Sequence, residues 1–105
     1  MKSHTPNREE KEWMDLITQI GCIVCLMQWD VQTPAEVHHI EGKPEPGSHL
    51  KTIPLCYAHH RAGKDTPAWV SRHPYKAKFE ERYGTEEELY ERTKKEVSRH
   101  YYGSR

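Results

Sequence analysis

Apolar residues recur with helical spacing at both ends of the chain and fall in short β-branched runs in its middle. Trp13, Leu16, Ile17 and Ile20 take the i, i+3, i+4, i+7 positions of one helical face. Thr5-Pro6 stands ahead of them as an N-cap followed by proline at the first helical position, and Gly21 follows as a stop. A packing helix over about residues 6–20, with an acidic outer face, is expected. Beyond Cys22-Ile23-Val24-Cys25 the stretch through Trp29 and Pro34 reads as irregular, and Glu36-Val37-His38-His39-Ile40 is short and β-branched enough to be a strand. Glu41 to Ser48 holds two Gly and two Pro and must be a loop. A second strand, Thr52-Ile53-Pro54-Leu55, runs into Cys56-Tyr57-Ala58-His59-His60, where no breaker intervenes before Gly63 and a helix begins. Past the linker Lys64-Asp65-Thr66-Pro67, Tyr75, Phe79 and Tyr83 share one face of a helix that opens at Pro74 and ends at Gly84. Thr85 and Glu88 form a capping box for a last helix carrying Leu89, Thr93, Val97 and, at its far end, Tyr101. The order strand, loop, strand, helix between helical flanks predicts one small α+β domain, with a core over about residues 22–63 and C-terminal helices over about 74–101.

Composition adds a constraint. Leu, Ile, Val and Phe total 16 of 105 residues, so the core is thin. Disorder is disfavoured, because 16 basic residues balance 16 acidic ones and three Trp and six Tyr supply large apolar bodies. A folded domain with so little core needs a staple. Three Cys, an odd number, speak against a disulfide framework, and eight His speak for metal. No apolar stretch approaches the ~20 residues of a membrane span, and the first residues lead into charge instead of a signal-peptide core. A soluble protein of the cytoplasm is expected, with no membrane partner. Charge is segregated: residues 41–78 hold seven Lys or Arg against three acids, whereas residues 79–91 hold six acids against one Arg. The basic centre fits phosphate contact, while the acidic segment from Glu80 to Glu91 is expected to face away from a phosphate backbone.

Cys22-x-x-Cys25 and Cys56-x-x-His59 are two ligand pairs thirty residues apart, and a Cys3His set is a common closed tetrahedral zinc site. The competing readings are small buried thiols with an unrelated surface histidine, or a redox pair, for which the surrounding βαβ pattern is lacking. The second constellation is His38-His39 on the first strand and His60 on the helix, with His49 and His73 in flanking loops. Neighbours on a strand point to opposite faces, so His38 and His39 must have different tasks. One suits a divalent metal, and the other, neutral near pH 7, suits proton removal from water.

These features resemble the HNH, or ββα-metal (His-Me finger), nuclease superfamily. The resemblance implies that His38 and His60 are ligands of a catalytic divalent metal, that His39 is the general base, and that His59 stands where a fourth zinc cysteine would be. The family's middle Asn is expected shortly before the second strand, and this chain has no Asn after Asn7; His49 or Lys51 lies nearest to that place. The third metal ligand falls on His73, whose alternative reading is a solvent-exposed loop residue. A closer resemblance rests on Val37-His38-His39-Ile40, Ile53-Pro54-Leu55-Cys56 with His59-His60-Arg61, and His73-Pro74 with Lys78-Phe79-Glu80 and Tyr83-Gly84-Thr85. It is to the phage recombination-enhancement nucleases of the Ref type, which cut DNA where a RecA filament lies, and it implies a phage or prophage enzyme acting in the host cytoplasm.

The expectation is therefore a zinc-stapled ββα-metal core flanked by helices, acting as a metal-dependent DNA endonuclease. Its cofactors are a structural Zn2+ and a catalytic Mg2+ or other divalent ion, and its partners are DNA and the RecA filament. Arg61, Lys64, Arg72, Lys76 and Lys78 are the candidates for holding phosphates. The rival is a zinc-stabilised DNA- or protein-binding module that has lost catalysis.

Overall fold

The computed structural model describes residues 5–40 and 48–101. The first helix, α1, spans Arg8–Ile20 and starts two residues later than Thr5-Pro6 predicts. Its cap is Asn7. The Asn7 side chain accepts the Glu10 N–H at 2.8 Å and the Glu10 carboxylate accepts the Asn7 N–H at 2.8 Å, a capping box that satisfies two otherwise orphaned donors. Glu10, on what should be an acidic outer face, is buried by that role. Gly21 ends the helix at φ 90, where a Cβ would lie 2.8 Å from the Thr33 carbonyl oxygen, so only glycine fits.

The stretch after Gly21 is helical where an irregular segment is expected: α2 spans Ile23–Trp29, and Asp30 closes it in the left-handed conformation. Its cap is a cysteine, with Cys22 Sγ accepting the Cys25 N–H at 3.5 Å, and helix signals built on Ser, Thr, Asp or Asn do not reveal such a start. Ile23, Val24 and Cys25 point inward. Two antiparallel strands follow, β1 (Glu36–His39) and β2 (Thr52–Leu55), with Cα partners Glu36 and Leu55, Val37 and Pro54, His38 and Ile53, and His39 and Thr52. Both are edge strands, so Pro54 is tolerated. The loop expected from Glu41 onward lies outside the described residues as far as residue 47, and Ser48–Leu50 form a 3-10 turn into β2.

One helical turn, α3 (Tyr57–His60), directly follows β2. The fourth helix, α4 (Lys76–Tyr83), buries Phe79 and Tyr83, while Tyr75 becomes its half-buried N-cap. The last, α5 (Glu86–Tyr101), opens with the expected box: the Thr85 N–H donates to Glu88 Oε1 at 2.8 Å and the Glu88 N–H to Thr85 Oγ1 at 3.1 Å. Leu89, Thr93 and Val97 face inward, whereas Tyr101 is 37% exposed and reaches Gln19 of α1 with its hydroxyl.

The main core surrounds the three cysteines with Ile23, Val24, Ile53, Leu55, Val70, Phe79, Tyr83 and Leu89, and Ile17, Ile20 and Val97 form a smaller cluster between α1 and α5. A fully buried side chain of this kind contributes about 1.5–3 kcal/mol. The main cluster brings β2, α2, α4 and α5 against one point, where the ligand pairs meet. Trp13 of α1 donates its indole N–H to Thr52 Oγ1 at 3.0 Å, and Thr52 in turn donates to the His49 carbonyl at 3.1 Å, which ties the turn before β2 to the helix above it. No helix among the described residues is long and apolar enough to cross a membrane.

Candidate metal centres

Cys22 at the cap of α2, Cys25 in its first turn, Cys56 at the end of β2 and His59 on α3 converge, and all four are buried. Cys25 Sγ lies 3.9 Å from Cys56 Sγ, and His59 Nδ1 lies 3.6, 3.7 and 3.3 Å from the sulfurs of Cys22, Cys25 and Cys56. Bond lengths of about 2.3 Å to sulfur and 2.0–2.1 Å to nitrogen give a tetrahedron edges of about 3.5–3.8 Å, so the four atoms fit one zinc ion. The cysteines are free thiols, and their sulfurs stand far beyond disulfide length. A hydrogen bond from Cys22 holds Cys25 down at about 7 and Cys56 down at about 3, while Cys22, sharing its proton with both, is pushed up. Thiolate character thus gathers where a soft dication needs it. The His59 ring is wedged against Trp29, Trp69 and Tyr83 at centroid distances of 6.0, 4.7 and 5.1 Å, which fixes its orientation.

The second centre begins on β1. Strand alternation turns Glu36 and His38 to the face that meets α3, where His60 lies. His38, His60 and His73 each offer a nitrogen within 4.8 Å of the others. His73 is carried there by a short strap, because the Arg72 N–H donates to the His59 carbonyl at 2.8 Å and the His73 N–H to the His60 carbonyl at 2.9 Å. The two candidate ligand groups therefore share α3, one through His59 and the other through His60.

Carboxylates fix the histidine nitrogens. His60 Nδ1 lies 2.7 Å from Glu36 Oε1, and His38 Nε2 lies 3.2 Å from Glu86 Oε2. Glu36 is held below the usual carboxylate range first by its hydrogen bond from Arg61. Burial would raise Glu86, but hydrogen bonds from His38 and Arg72 outweigh it and its carboxyl also ends low. An ionised carboxylate only accepts, so the nitrogen facing it carries the proton and, in a neutral imidazole, the opposite nitrogen presents its lone pair. Burial holds His60 and His73 below the ordinary histidine value, even against the pull of Glu36 on His60. His38 Nδ1 and His60 Nε2 then face each other 3.3 Å apart. Where both rings are neutral, two lone pairs meet at that distance and repel, a repulsion that a proton or a metal ion between them relieves.

His39 points the other way, half-buried, with Nε2 at 2.8 Å from His49 Nδ1. Burial, then the neighbouring His49 and His38, lower its proton affinity, which keeps it neutral at physiological pH. Lys51, the other residue near the missing Asn, is 3.9 Å from Glu87.

Of the five candidate phosphate contacts, four are engaged with carboxylates. Arg61 grips Glu36 through two hydrogen bonds of 2.9 and 2.8 Å, Lys76 meets Glu80 at 3.2 Å, Lys78 meets Asp65 at 2.7 Å, and Arg72 turns inward to Glu86. Exposed Lys64 has no ion pair among the described residues. Within the acidic segment, Glu86 leaves only 4% of its side chain exposed and sits in the histidine cluster. Glu36 and Glu86, which contact the histidine cluster, are the members of the candidate site that reading the sequence misses. The first has a signal, two residues before His38 on the same strand face; the second has none locally, since 48 residues separate it from its partner. A family model described as "Recombination enhancement, RecA-dependent nuclease" matches residues 6–98.

Proposed function

Because the chain belongs to the recombination enhancement, RecA-dependent nuclease family, we propose that it is a metal-dependent DNA endonuclease of the HNH type that acts on RecA-bound DNA. Its catalytic centre is then His38, His39, His60 and His73, beside a structural zinc on Cys22, Cys25, Cys56 and His59. The observation that carries this reading is the pair of nitrogens on His38 and His60, backed by carboxylates and facing each other at 3.3 Å. Imidazoles oriented by outer carboxylates are the usual way a protein prepares histidine for a metal.

His38, His60 and His73 would hold the divalent ion, which would supply Lewis-acid charge to the phosphodiester being cut. The chain's own groups do the rest. His39, on the opposite strand face, takes a proton from the attacking water, whose oxygen bonds to phosphorus as the bond to the 3′ oxygen breaks. His49 braces the His39 ring at 2.8 Å and supports a reading in which it stands at the place of the family's middle Asn. Lys64 offers an open charge for a neighbouring phosphate, and Arg61, Lys76, Lys78 and Arg72 would have to share or leave their carboxylates to do so. The metal is Mg2+ or another divalent ion; three imidazoles suit a first-row transition ion better than Mg2+, which favours oxygen.

A chain of zero net charge with most of its central cations paired grips DNA weakly by itself. Delivery by the filament supplies the missing local concentration. At moderate salt the protein should cut DNA coated with RecA and ATP at least about 10²-fold faster than the same DNA bare, the gain that a second, tethered contact gives. Equal rates on both substrates would remove the filament from the mechanism.

A further inference from the structure

Glu86 is a charged group in a place where charge is costly. Its side chain is 96% buried, far from β1 in sequence, at the first turn of α5. It touches two groups: His38 Nε2 at 3.2 Å, and the guanidinium of Arg72, whose backbone N–H is clipped to the His59 carbonyl. Burying such a carboxylate is unfavourable unless both partners are held in good geometry, and here one partner is a candidate metal ligand and the other adjoins His73, a second one.

We infer that Glu86 is the positioning residue of the histidine centre, holding His38 with its proton on Nε2 and its Nδ1 lone pair turned toward His60 and His73. This rests on the reading of His38, His60 and His73 as ligands of a divalent ion. The carboxylate accepts a hydrogen bond from Nε2–H, which keeps the proton there and leaves Nδ1 as the ring nitrogen with a lone pair for a metal. It also makes the imidazole more electron-rich, which strengthens ligation. Arg72 has the complementary task. By neutralising Glu86 it keeps the carboxylate outside the ligand set, and by its place in the strap it fixes His73 beside it. Glu36 does the same for His60 from β1, so each of the two imidazoles has its own carboxylate. One of those supports comes from α5, so the helix that closes the core also fixes the chemistry.

The test is calorimetric titration of Ni2+ into the zinc-loaded full chain, comparing wild type with Glu86→Gln, alongside nitrogen chemical shifts of the histidine rings. Wild type should take up one Ni2+ beyond its zinc, with the His38 ring protonated at Nε2 beforehand. Glu86→Gln should retain its zinc and bind Ni2+ about 10–100-fold more weakly, the usual cost of losing an outer partner of a ligating histidine. If leaving Arg72 without its partner prevents Glu86→Gln from folding, the double variant Arg72→Gln/Glu86→Gln removes both charges together and should show the same loss of affinity. A purely structural role would lower the melting temperature without moving the Ni2+ affinity of the folded protein. Wild-type affinity and an unchanged His38 tautomer in the variant would overturn the inference while leaving the ion site standing. A wild type that takes no second ion would overturn the site itself and this role with it.

Discussion

Cys56→Ser is expected to unfold the domain. Cys56 joins β2 to α3, and its sulfur stands 3.3 Å from His59 Nδ1 and 3.9 Å from Cys25 Sγ, at the centre of the main core. Serine offers a poor zinc ligand there and leaves a buried hydroxyl without the sulfur's reach. The magnitudes decide the outcome: a structural zinc contributes about 10–16 kcal/mol of apparent binding free energy, whereas a whole domain is stable by only about 5–15 kcal/mol. With 16 Leu, Ile, Val and Phe residues, this chain has no reserve of apolar burial to replace it. Elemental analysis of folded wild type should therefore find one zinc per chain, and either Cys56→Ser or a strong chelator should abolish the cooperative thermal transition. A melting curve that survives chelation unchanged would remove the staple.

His39→Ala is expected to lower DNA cleavage by about 10²–10⁴-fold, the usual contribution of a general base, with little effect on folding. The ring is half-buried beside His49 on the strand face opposite His38, so its removal leaves the Glu36, His60, His38 and Glu86 chain of contacts in place. Ni2+ affinity should stay close to that of wild type. His38→Ala and His60→Ala should behave in the opposite way, with the loss appearing first in ion binding. Single-turnover cleavage at saturating ion separates the two classes, and an active His39→Ala enzyme would require another base.

What could be read along the chain followed the range of each interaction. Period and capping are local, so the outer helices, both strands and the Thr85–Glu88 box were visible in the pattern of residues. The ligand spacing of Cys22-x-x-Cys25 and Cys56-x-x-His59 is local too, because a two-residue spacer turns both side chains of a pair toward one point. Two capping signals, Thr5-Pro6 and Asn7-x-x-Glu10, compete within a few residues for the start of α1, and the reciprocal box prevails. The second helix was hidden because a thiol performs the capping. The electrostatics were the least legible. Arg61, Arg72, Lys76 and Lys78 read as free charge along the sequence, yet folding sets a carboxylate beside each. Glu86 reads as part of an acidic run turned away from DNA, and only the fold brings it to His38.

The account stands most directly on nicking of supercoiled plasmid by the zinc-loaded protein, at low salt where weak phosphate contacts suffice, with and without added Mg2+ or Mn2+. Nicked circles that accumulate only when the divalent ion is present are the predicted result. A plasmid left intact under both conditions, together with RecA-coated DNA left intact by the same zinc-loaded, cooperatively melting protein, would contradict the account and leave a zinc-stabilised binding module in its place.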